Sequence, residues 1–510
     1  MPIHFGTDGW RAVMSDTFTF ANLRMVAQAI ADAVRAEVQT EDAASSANNS
    51  GPGGAKEHGK KDSKSAAKSG GDSRRVDIVV GFDTRFLSDR FARDVACVLA
   101  ADGLRVHLAQ SDAPTPSISF AVRHLGARAG VMITASHNPP RYNGIKLKAP
   151  YGGSASNEMC KRVEIYLNDN ETRGRSPGFM DFEDAVAEGF IQRFRPNPPY
   201  EEHLHTLIDF DVIRKRPQKV LVDSMYGSGR GLVARMLQAA GCEVIEIRGE
   251  MNPGFGGIHP EPIVPYLEDL VVALKAHPGF YGVATDGDAD RVGAMDEDAA
   301  FVDPHKIMAL ALRYLVEARG LKGKVIRTVS TTRMVDRLAA KYGLQVEETP
   351  VGFNHIADHM LGGDVLIGGE ESGGISFKGH IPEGDGVLMG LLLVEMVAAS
   401  GGTLRELVAD LIAQVGPAFY SRTDLRLKRP VEKKEMNFRL SVSPPAEIGG
   451  EAVLKVADND GTKYVLADDS WLLIRPSGTE PILRVYAEGR TPLMLKALMA
   501  YGERVAESVT

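Results

Sequence analysis

Gly130-Val-Met-Ile-Thr-Ala-Ser136-His137-Asn138-Pro139-Pro140 is a short apolar run that stops against a polar loop. Residues 130–133 read as a buried strand. The two closing prolines cannot continue a hydrogen-bonded ladder. A hydroxyl, an imidazole and an amide are therefore presented on a tight loop at the carboxyl end of a strand, where open α/β sheets bind ligands. Ser136 is the first candidate nucleophile. The same residues also suit an ordinary Ser/Asn turn, so the surrounding chain has to decide.

Upstream, residues 76–83 predict a strand, 91–102 a helix ended by Gly103, 104–108 a strand and 117–125 a helix. This alternation implies βαβ units with parallel pairing. Before it stand the glycine-punctuated Phe5-Gly-Thr-Asp-Gly-Trp-Arg11 and a helical pattern over 20–38. Residues 40–75 are rich in Ser, Ala, Gly and Lys, with no apolar period. They bury too little surface to offset their ordering entropy, so a disordered surface insertion is expected. Arg195-Pro-Asn-Pro-Pro-Tyr200 reads as a stiff linker.

The alternation then restarts twice. One round ends in a strand over 281–285 that runs into Asp286-Gly-Asp288-Ala-Asp290-Arg291, and the next in a strand over 365–367 that runs into Gly368-Gly-Glu370-Glu-Ser372-Gly-Gly374. Three segments thus end alike, on a short polar, glycine-bearing loop. The last segment carries Arg475-Pro-Ser477-Gly478-Thr479-Glu-Pro481 between a strand-like start and a terminal helix. The fold class expected is α/β. Three consecutive related α/β domains with mixed sheets, at 1–196, 197–303 and 304–417, precede a C-terminal α+β domain at 418–510, around a central cleft.

Bulk properties narrow the function. At 510 residues the chain is too long for one core, and 44% hydrophobic with 25% charged residues is ordinary globular composition. A net charge of -8 disfavours a polyanion-binding surface, so no nucleic-acid partner is expected. The three cysteines, Cys97, Cys160 and Cys242, are odd in number and far apart, which fits a reducing compartment. Met-Pro-Ile-His-Phe-Gly has no charged segment leading into an apolar core, and the longest apolar stretch, 387–399, contains Glu395 and is too short to span a bilayer. A cytoplasmic protein with no membrane partner is expected.

Asp286, Asp288 and Asp290 sit at alternate positions between small residues, and three crowded carboxylates require a cation. Oxygen-only ligands select a hard ion. An EF-hand is excluded, although Glu297 falls at its twelfth position. Arg291 occupies the sixth, which requires glycine, and a strand precedes the loop. Three protein ligands leave positions open for a phosphate oxygen, which suits magnesium better than a calcium cage. Around Arg475, a guanidinium, two hydroxyls and backbone amides make an anion-seeking loop. It is not a phosphate loop of the Gly-Lys-Ser/Thr kind, and Gly227-Ser-Gly-Arg-Gly231 lacks the dinucleotide spacing. The Glu370 loop offers carboxylates and a hydroxyl of the kind that hold sugar hydroxyls. Lys146, Arg11 and Arg291 add cations. A nucleophile, a hard-metal loop, a sugar-type loop and a phosphate-type loop are the parts that phosphoryl transfer on a small-molecule phosphosugar needs.

These motifs, in this order, resemble the α-D-phosphohexomutase superfamily, and most closely its phosphoglucomutase/phosphomannomutase members. The resemblance covers essentially the whole chain outside 40–75. It implies that Ser136 is carried as phosphoserine and that Mg2+ is held by Asp286, Asp288, Asp290 and a phosphoserine oxygen. Glu370 and Ser372 bind sugar hydroxyls, and Arg475, Ser477, Gly478 and Thr479 hold the phosphate that is not reacting. Arg11, Lys146 and Arg291 match cationic positions near the phosphoserine, with His137 beside it. Hexose 1-phosphate and hexose 6-phosphate would interconvert through a 1,6-bisphosphate intermediate. Glu370-Glu371-Ser372 is the form that resembles phosphoglucomutases, which points to glucose, with mannose phosphate as the alternative. A phosphosugar phosphatase and a non-catalytic sensor are the rivals from other classes. The chain departs from the family pattern at Asn354 and Gly384, where relatives place a cation. His355, Lys378 and His380 are then the nearby candidates for general acid/base, with His380 preferred. A monomer or small homo-oligomer is expected.

Overall fold

The structure is a computed structural model and describes residues 3–6, 9–48, 76–427, 432–476 and 482–508. The chain divides into two compact units, Met1–Tyr200 and Glu201–Thr510.

In the first unit the sheet runs Trp10–Val13, Tyr142–Ala149, Ala129–Ile133, Asp77–Phe82, Arg105–Ala109, Ile191–Phe194, with Gly153–Ser154 paired to Tyr142–Ala149. The last four strands of that order are parallel. Tyr142–Ala149 returns antiparallel to Ala129–Ile133, and Trp10–Val13 pairs antiparallel with it. The two central strands, Ala129–Ile133 and Asp77–Phe82, are almost wholly apolar and buried because both faces are covered, whereas the edge strand Ile191–Phe194 exposes Gln192 and Arg193. Ile78 and Val80 join the larger core with helices Phe20–Asn48 and Ser88–Ala101, whereas Val79 and Met132 pack with Ile118 and Val122 of helix Thr115–His124.

Helix Phe20–Asn48 enters the segment expected to be disordered. Leu23, Val26, Ala27, Ile30, Ala31 and Val34 are buried at helical spacing. Beyond them the chain reads Ala36-Glu-Val-Gln-Thr-Glu41, mostly good helix formers, and extending an existing helix needs no apolar stripe. Residues 49–75 lie outside the described residues. The proline-rich linker is also corrected. Asn197–Leu207 is a helix, and Pro198 and Pro199 stand in its first turn, where a missing N–H costs nothing.

The second unit holds three sheets among its described residues. The first runs Phe301–Val302, Val292–Met295, Tyr281–Thr285, Lys219–Asp223, Glu243–Ile247; the second runs Val346–Thr349, Lys324–Thr328, Val365–Gly369, Ile375–Phe377. Each repeats the order seen in the first unit: an antiparallel return, the strand that carries a functional loop, then two parallel strands. The loops at Ser136, Asp286 and Glu370 therefore occupy one topological position, the connection from a parallel strand into its antiparallel return. The third sheet is antiparallel throughout, ordered Phe419–Arg426, Ile482–Gly489, Trp471–Pro476, Thr462–Leu466, Glu451–Ala457, Glu447–Ile448, with helix Pro492–Ser508 packed on it.

Helix Gly386–Ser400 is buried on every side, and its one charge, Glu395, is fully buried. Both oxygens of Glu395 accept from Arg319 Nη2 at 2.6 Å, Oε1 also accepts from the Tyr314 hydroxyl at 2.7 Å, and Oε2 from the Asp209 amide at 2.9 Å. Every lone pair is used, which is how a carboxylate is tolerated in an apolar helix. Among the described residues no single helix is long and apolar enough to cross a membrane.

Candidate active site

Ser136 is buried and has φ 50°, a left-handed backbone that a side chain adopts at a cost of about 1–2 kcal/mol. Its surroundings hold it there. The Ser136 amide donates to Thr134 Oγ1 at 2.8 Å, and the Thr134 hydroxyl donates to Asp83 Oδ2 at 2.6 Å. Asp83 Oδ1 accepts from the Arg85 amide at 3.0 Å and the Ser88 hydroxyl at 2.8 Å. The Arg85 guanidinium donates to the carbonyls of Ser136, Asn138, Pro139 and Tyr142 at 2.5, 2.7, 3.0 and 3.1 Å. One buried cation thus gathers four carbonyl oxygens from both ends of the loop. The sequence reading missed Arg85. Its signal was a charged Asp83-Thr-Arg85 directly after a buried strand, in a sheet where such positions carry function.

The other predicted residues of the first unit fall around this loop. His137 Nδ1 lies 3.3 Å from Ser136 Oγ. Arg11 donates to Asn138 Oδ1 at 2.8 Å. Lys146 is buried on the return strand, opposite Met132 of the strand that delivers Ser136. Gly144 permits the crossing: a Cβ there would stand 2.5 Å from the Thr134 carbonyl oxygen and 2.8 Å from that of Trp10.

In the second unit, Asp286, Asp288 and Asp290 each turn a carboxylate oxygen inward, all within 4.8 Å of one another. Asp286 and Asp288 are fully buried. Three carboxylates this close repel strongly unless a cation shares them, so the donor set fits a hard divalent ion. The loop is packed from two sides by glycines. A Cβ on Gly227 would sit 2.6 Å from the Asp286 carbonyl oxygen, and one on Gly386 2.1 Å from that of Arg291. The Ser228 amide donates to the Gly287 carbonyl at 3.0 Å and the Gly386 amide to that of Ala289 at 3.0 Å. Arg291 is placed among carboxylates. Burial opposes its charge, but Glu261, Asp286, Asp290 and Glu370 outweigh that and raise its pKa.

The Glu370 loop adjoins the Asp loop. The Val292 amide donates to the Gly373 carbonyl at 3.2 Å, and Gly373, at φ +98°, would place a Cβ 2.6 Å from the Val292 carbonyl oxygen. Glu370 Oε1 accepts from the Gly352 amide at 2.9 Å. Ser372 is half-buried beside it. Arg475 Nε donates to Asp460 Oδ2 at 2.8 Å, and the same oxygen accepts from the Val351 amide at 3.1 Å. Ser477, Gly478 and Thr479 lie outside the described residues.

His380 is not presented as expected. Its side chain is fully buried; Nδ1 lies 3.1 Å from His203 Nε2 and Nε2 lies 2.9 Å from Asp385 Oδ2. Asp385 in turn caps helix Gly386–Ser400 through the Leu388 amide at 2.8 Å. His380 therefore braces the segment that packs on the Asp loop. Lys378 is exposed and pairs with Asp364 at 2.5 Å.

Four family models match successive parts of the chain. Models of the phosphoglucomutase/phosphomannomutase α/β/α domains I, II and III match residues 60–174, 198–299 and 303–415, and that of the C-terminal domain matches 435–501. A phosphoglucomutase/phosphomannomutase of Thermococcus kodakarensis is 32% identical over 431 residues, covering 84% of this chain and 90% of that protein. A phosphoglucosamine mutase of Mesorhizobium japonicum is 31% identical, covering 84% and 88%. The crystal structure of a protein proposed as a phosphomannomutase from Thermus thermophilus superposes with a TM-score of 0.81 at 33% identity, covering 99% of each chain.

Proposed function

The chain belongs to the phosphoglucomutase/phosphomannomutase family of phosphohexomutases, and from that premise we propose that it interconverts hexose 1-phosphate and hexose 6-phosphate through a phosphorylated Ser136, with glucose as the preferred sugar. The observation that carries the reading is the buried triad of Asp286, Asp288 and Asp290, joined by backbone hydrogen bonding to the Glu370 loop. An anion-transfer centre and a hydroxyl-binding loop are thereby held at a fixed spacing.

In this reading Ser136 starts the cycle as phosphoserine. The bond from phosphorus to Ser136 Oγ breaks as phosphorus bonds a hexose hydroxyl oxygen, and the hydroxyl proton leaves to a base. The product is a hexose 1,6-bisphosphate. After it turns over, its other phosphoryl group returns to Ser136 Oγ and the proton returns to the sugar oxygen left behind. Asp286, Asp288 and Asp290, with an oxygen of phosphorylated Ser136, would hold magnesium, whose positive charge would offset the negative charge on the transferring phosphoryl group. Arg11, Lys146 and Arg291 supply further positive charge. His137, whose Nδ1 lies 3.3 Å from Ser136 Oγ, would bond the phosphate-bearing oxygen. Glu370 and Ser372 bind the sugar hydroxyls, and Arg475 with Ser477, Gly478 and Thr479 holds the phosphate that is not reacting. Exclusion of water from the occupied site would keep the phosphoryl group from being hydrolysed. We assign His380 a positioning role, since both ring nitrogens have near neighbours and the ring is buried. The thiols of Cys97, Cys160 and Cys242, none of them in a disulfide, support a reducing, cytoplasmic setting.

The choice of glucose rests on the likeness of the Glu370-Glu371-Ser372 stretch to phosphoglucomutases, taken as a mark of relationship and not as a sugar contact by Glu371. Initial rates on glucose 1-phosphate, mannose 1-phosphate and glucosamine 1-phosphate test it. The highest kcat/KM is expected for glucose 1-phosphate; an equal or higher value for either other sugar overturns the choice.

A further inference from the structure

We infer that Glu371, the second carboxylate of the sugar-type loop, is a positioning residue that ties this loop to the C-terminal sheet carrying Arg475, rather than a group that reads a sugar hydroxyl. The inference rests on the reading above for its consequence and on geometry for its substance. Glu371 Oε1 accepts from Arg422 Nη1 at 3.0 Å, and Oε2 accepts from the Tyr420 hydroxyl at 3.1 Å. Tyr420 and Arg422 occupy alternate positions on strand Phe419–Arg426, so they share one face of the sheet. Adjacent glutamates in one loop are thus anchored on different bodies: Glu370 on the Gly352 amide of its own domain, Glu371 on the C-terminal sheet.

The far end of the tie is fixed. Arg422 donates from Nε and Nη2 to Asp424 at 3.0 and 3.2 Å, and its guanidinium lies 5.4 Å from the Tyr486 ring centroid. The Tyr420 ring meets His305 edge-on at 4.3 Å and lies 6.3 Å from Trp471. Burial and the Glu371 charge both push the Tyr420 hydroxyl pKa up, so it stays a donor. From Arg422 the path to the phosphate-type loop is continuous sheet. Arg422 pairs with Tyr486, Tyr486 with Leu473, and Leu473 lies two residues before Arg475 on the same strand. A shift of the C-terminal sheet therefore moves Arg475 and the Glu371 end of the sugar loop together. On this basis the residue at 371 affects substrate through the grip on both ends of the molecule, not through a direct hydroxyl contact.

The test is a double-mutant cycle of Glu371→Gln, Arg422→Met and both together, measured with glucose 1-phosphate and mannose 1-phosphate. A lost charge-assisted hydrogen bond that holds ground and transition states alike raises KM about tenfold and leaves kcat nearly unchanged. The double variant should be no worse than the worse single, since each removes the same tie. The ratio of kcat/KM for the two sugars should stay at its wild-type value in all three. Arg422→Lys should recover part of the KM, and Tyr420→Phe, which deletes one hydroxyl, should cost less than Arg422→Met. Multiplying effects overturn the inference, and so does a sugar ratio that changes in Glu371→Gln but not in Arg422→Met. A second measurement does not need catalysis. Amide exchange in peptides spanning 368–377 should quicken in Arg422→Met, a change 51 residues away in sequence. Unchanged exchange there refutes the tie even in a protein that turns over no sugar, whereas absence of wild-type turnover with quickened exchange refutes only the proposed function.

Discussion

Exchanging Arg85 for methionine keeps much of a buried volume and removes every donor in it. The guanidinium has no exposed surface, lies 3.2 Å from Asp83 through Nε, and supplies four carbonyls of the Ser136 loop. Removing one member of a buried ion pair costs about 3–5 kcal/mol, because the remaining charge is left without compensation. Each carbonyl that water cannot reach adds about 1 kcal/mol. A loss of at least ~3 kcal/mol in urea unfolding of the first unit is therefore expected. The effect on turnover comes from geometry. Ser136 holds a left-handed backbone that the loop would otherwise relax, and a displacement of about 1 Å at a reacting atom costs roughly 100-fold in rate. Arg85→Lys keeps the charge but cannot reach four carbonyls, so it should recover stability better than turnover. Stability within about 1 kcal/mol of wild type, or turnover within about twofold, in Arg85→Met refutes the reasoning.

Glu395→Ala should destabilise the second unit by about 3–5 kcal/mol in chemical denaturation by leaving Arg319 charged and unpaired inside the fold; a loss under ~1 kcal/mol contradicts the assignment. Burial raises the pKa of Glu348, but Lys463 and Arg327 outweigh it and draw the carboxyl from 4.5 down to about 2. A lowered carboxylate contributes stability above its unfolded pKa and loses it as pH falls through the folded one. Acid unfolding should therefore steepen between those two values, and Glu348→Gln should flatten that limb; an unchanged limb overturns the attribution. Chelation should abolish mutase activity and added magnesium restore it, with Asp288→Asn shifting the magnesium requirement upward by about tenfold or more. Activity that survives chelation rejects the metal assignment.

The strand ends that carry function were legible because each is a continuous apolar run broken by glycine and charge. Residues 129–133, 281–285 and 365–369 are buried on both faces, which makes such runs conspicuous. Their antiparallel returns were not singled out. Val292–Met295 and Ile375–Phe377 are only four and three residues long and show no period before the hairpin forms. Helix Phe20–Asn48 outran its apolar stripe, and Pro198 and Pro199 began a helix instead of preventing one. What sequence could not show was partnership across distance. Arg85 finds Ser136 51 residues on, and Glu371 finds Arg422 51 residues on. Neither pairing leaves a local pattern, and both depend on which sheet lies beside which loop.

The central claim is that Ser136 carries the phosphoryl group. Intact mass of the purified protein, with peptide mapping before and after addition of glucose 1-phosphate, tests it most directly. One phosphoryl group on the peptide containing Ser136, exchanging with the added sugar phosphate, and absent from an inactive Ser136→Ala variant, is the predicted result. Turnover by a protein that is never phosphorylated at Ser136, or by Ser136→Ala, would contradict it.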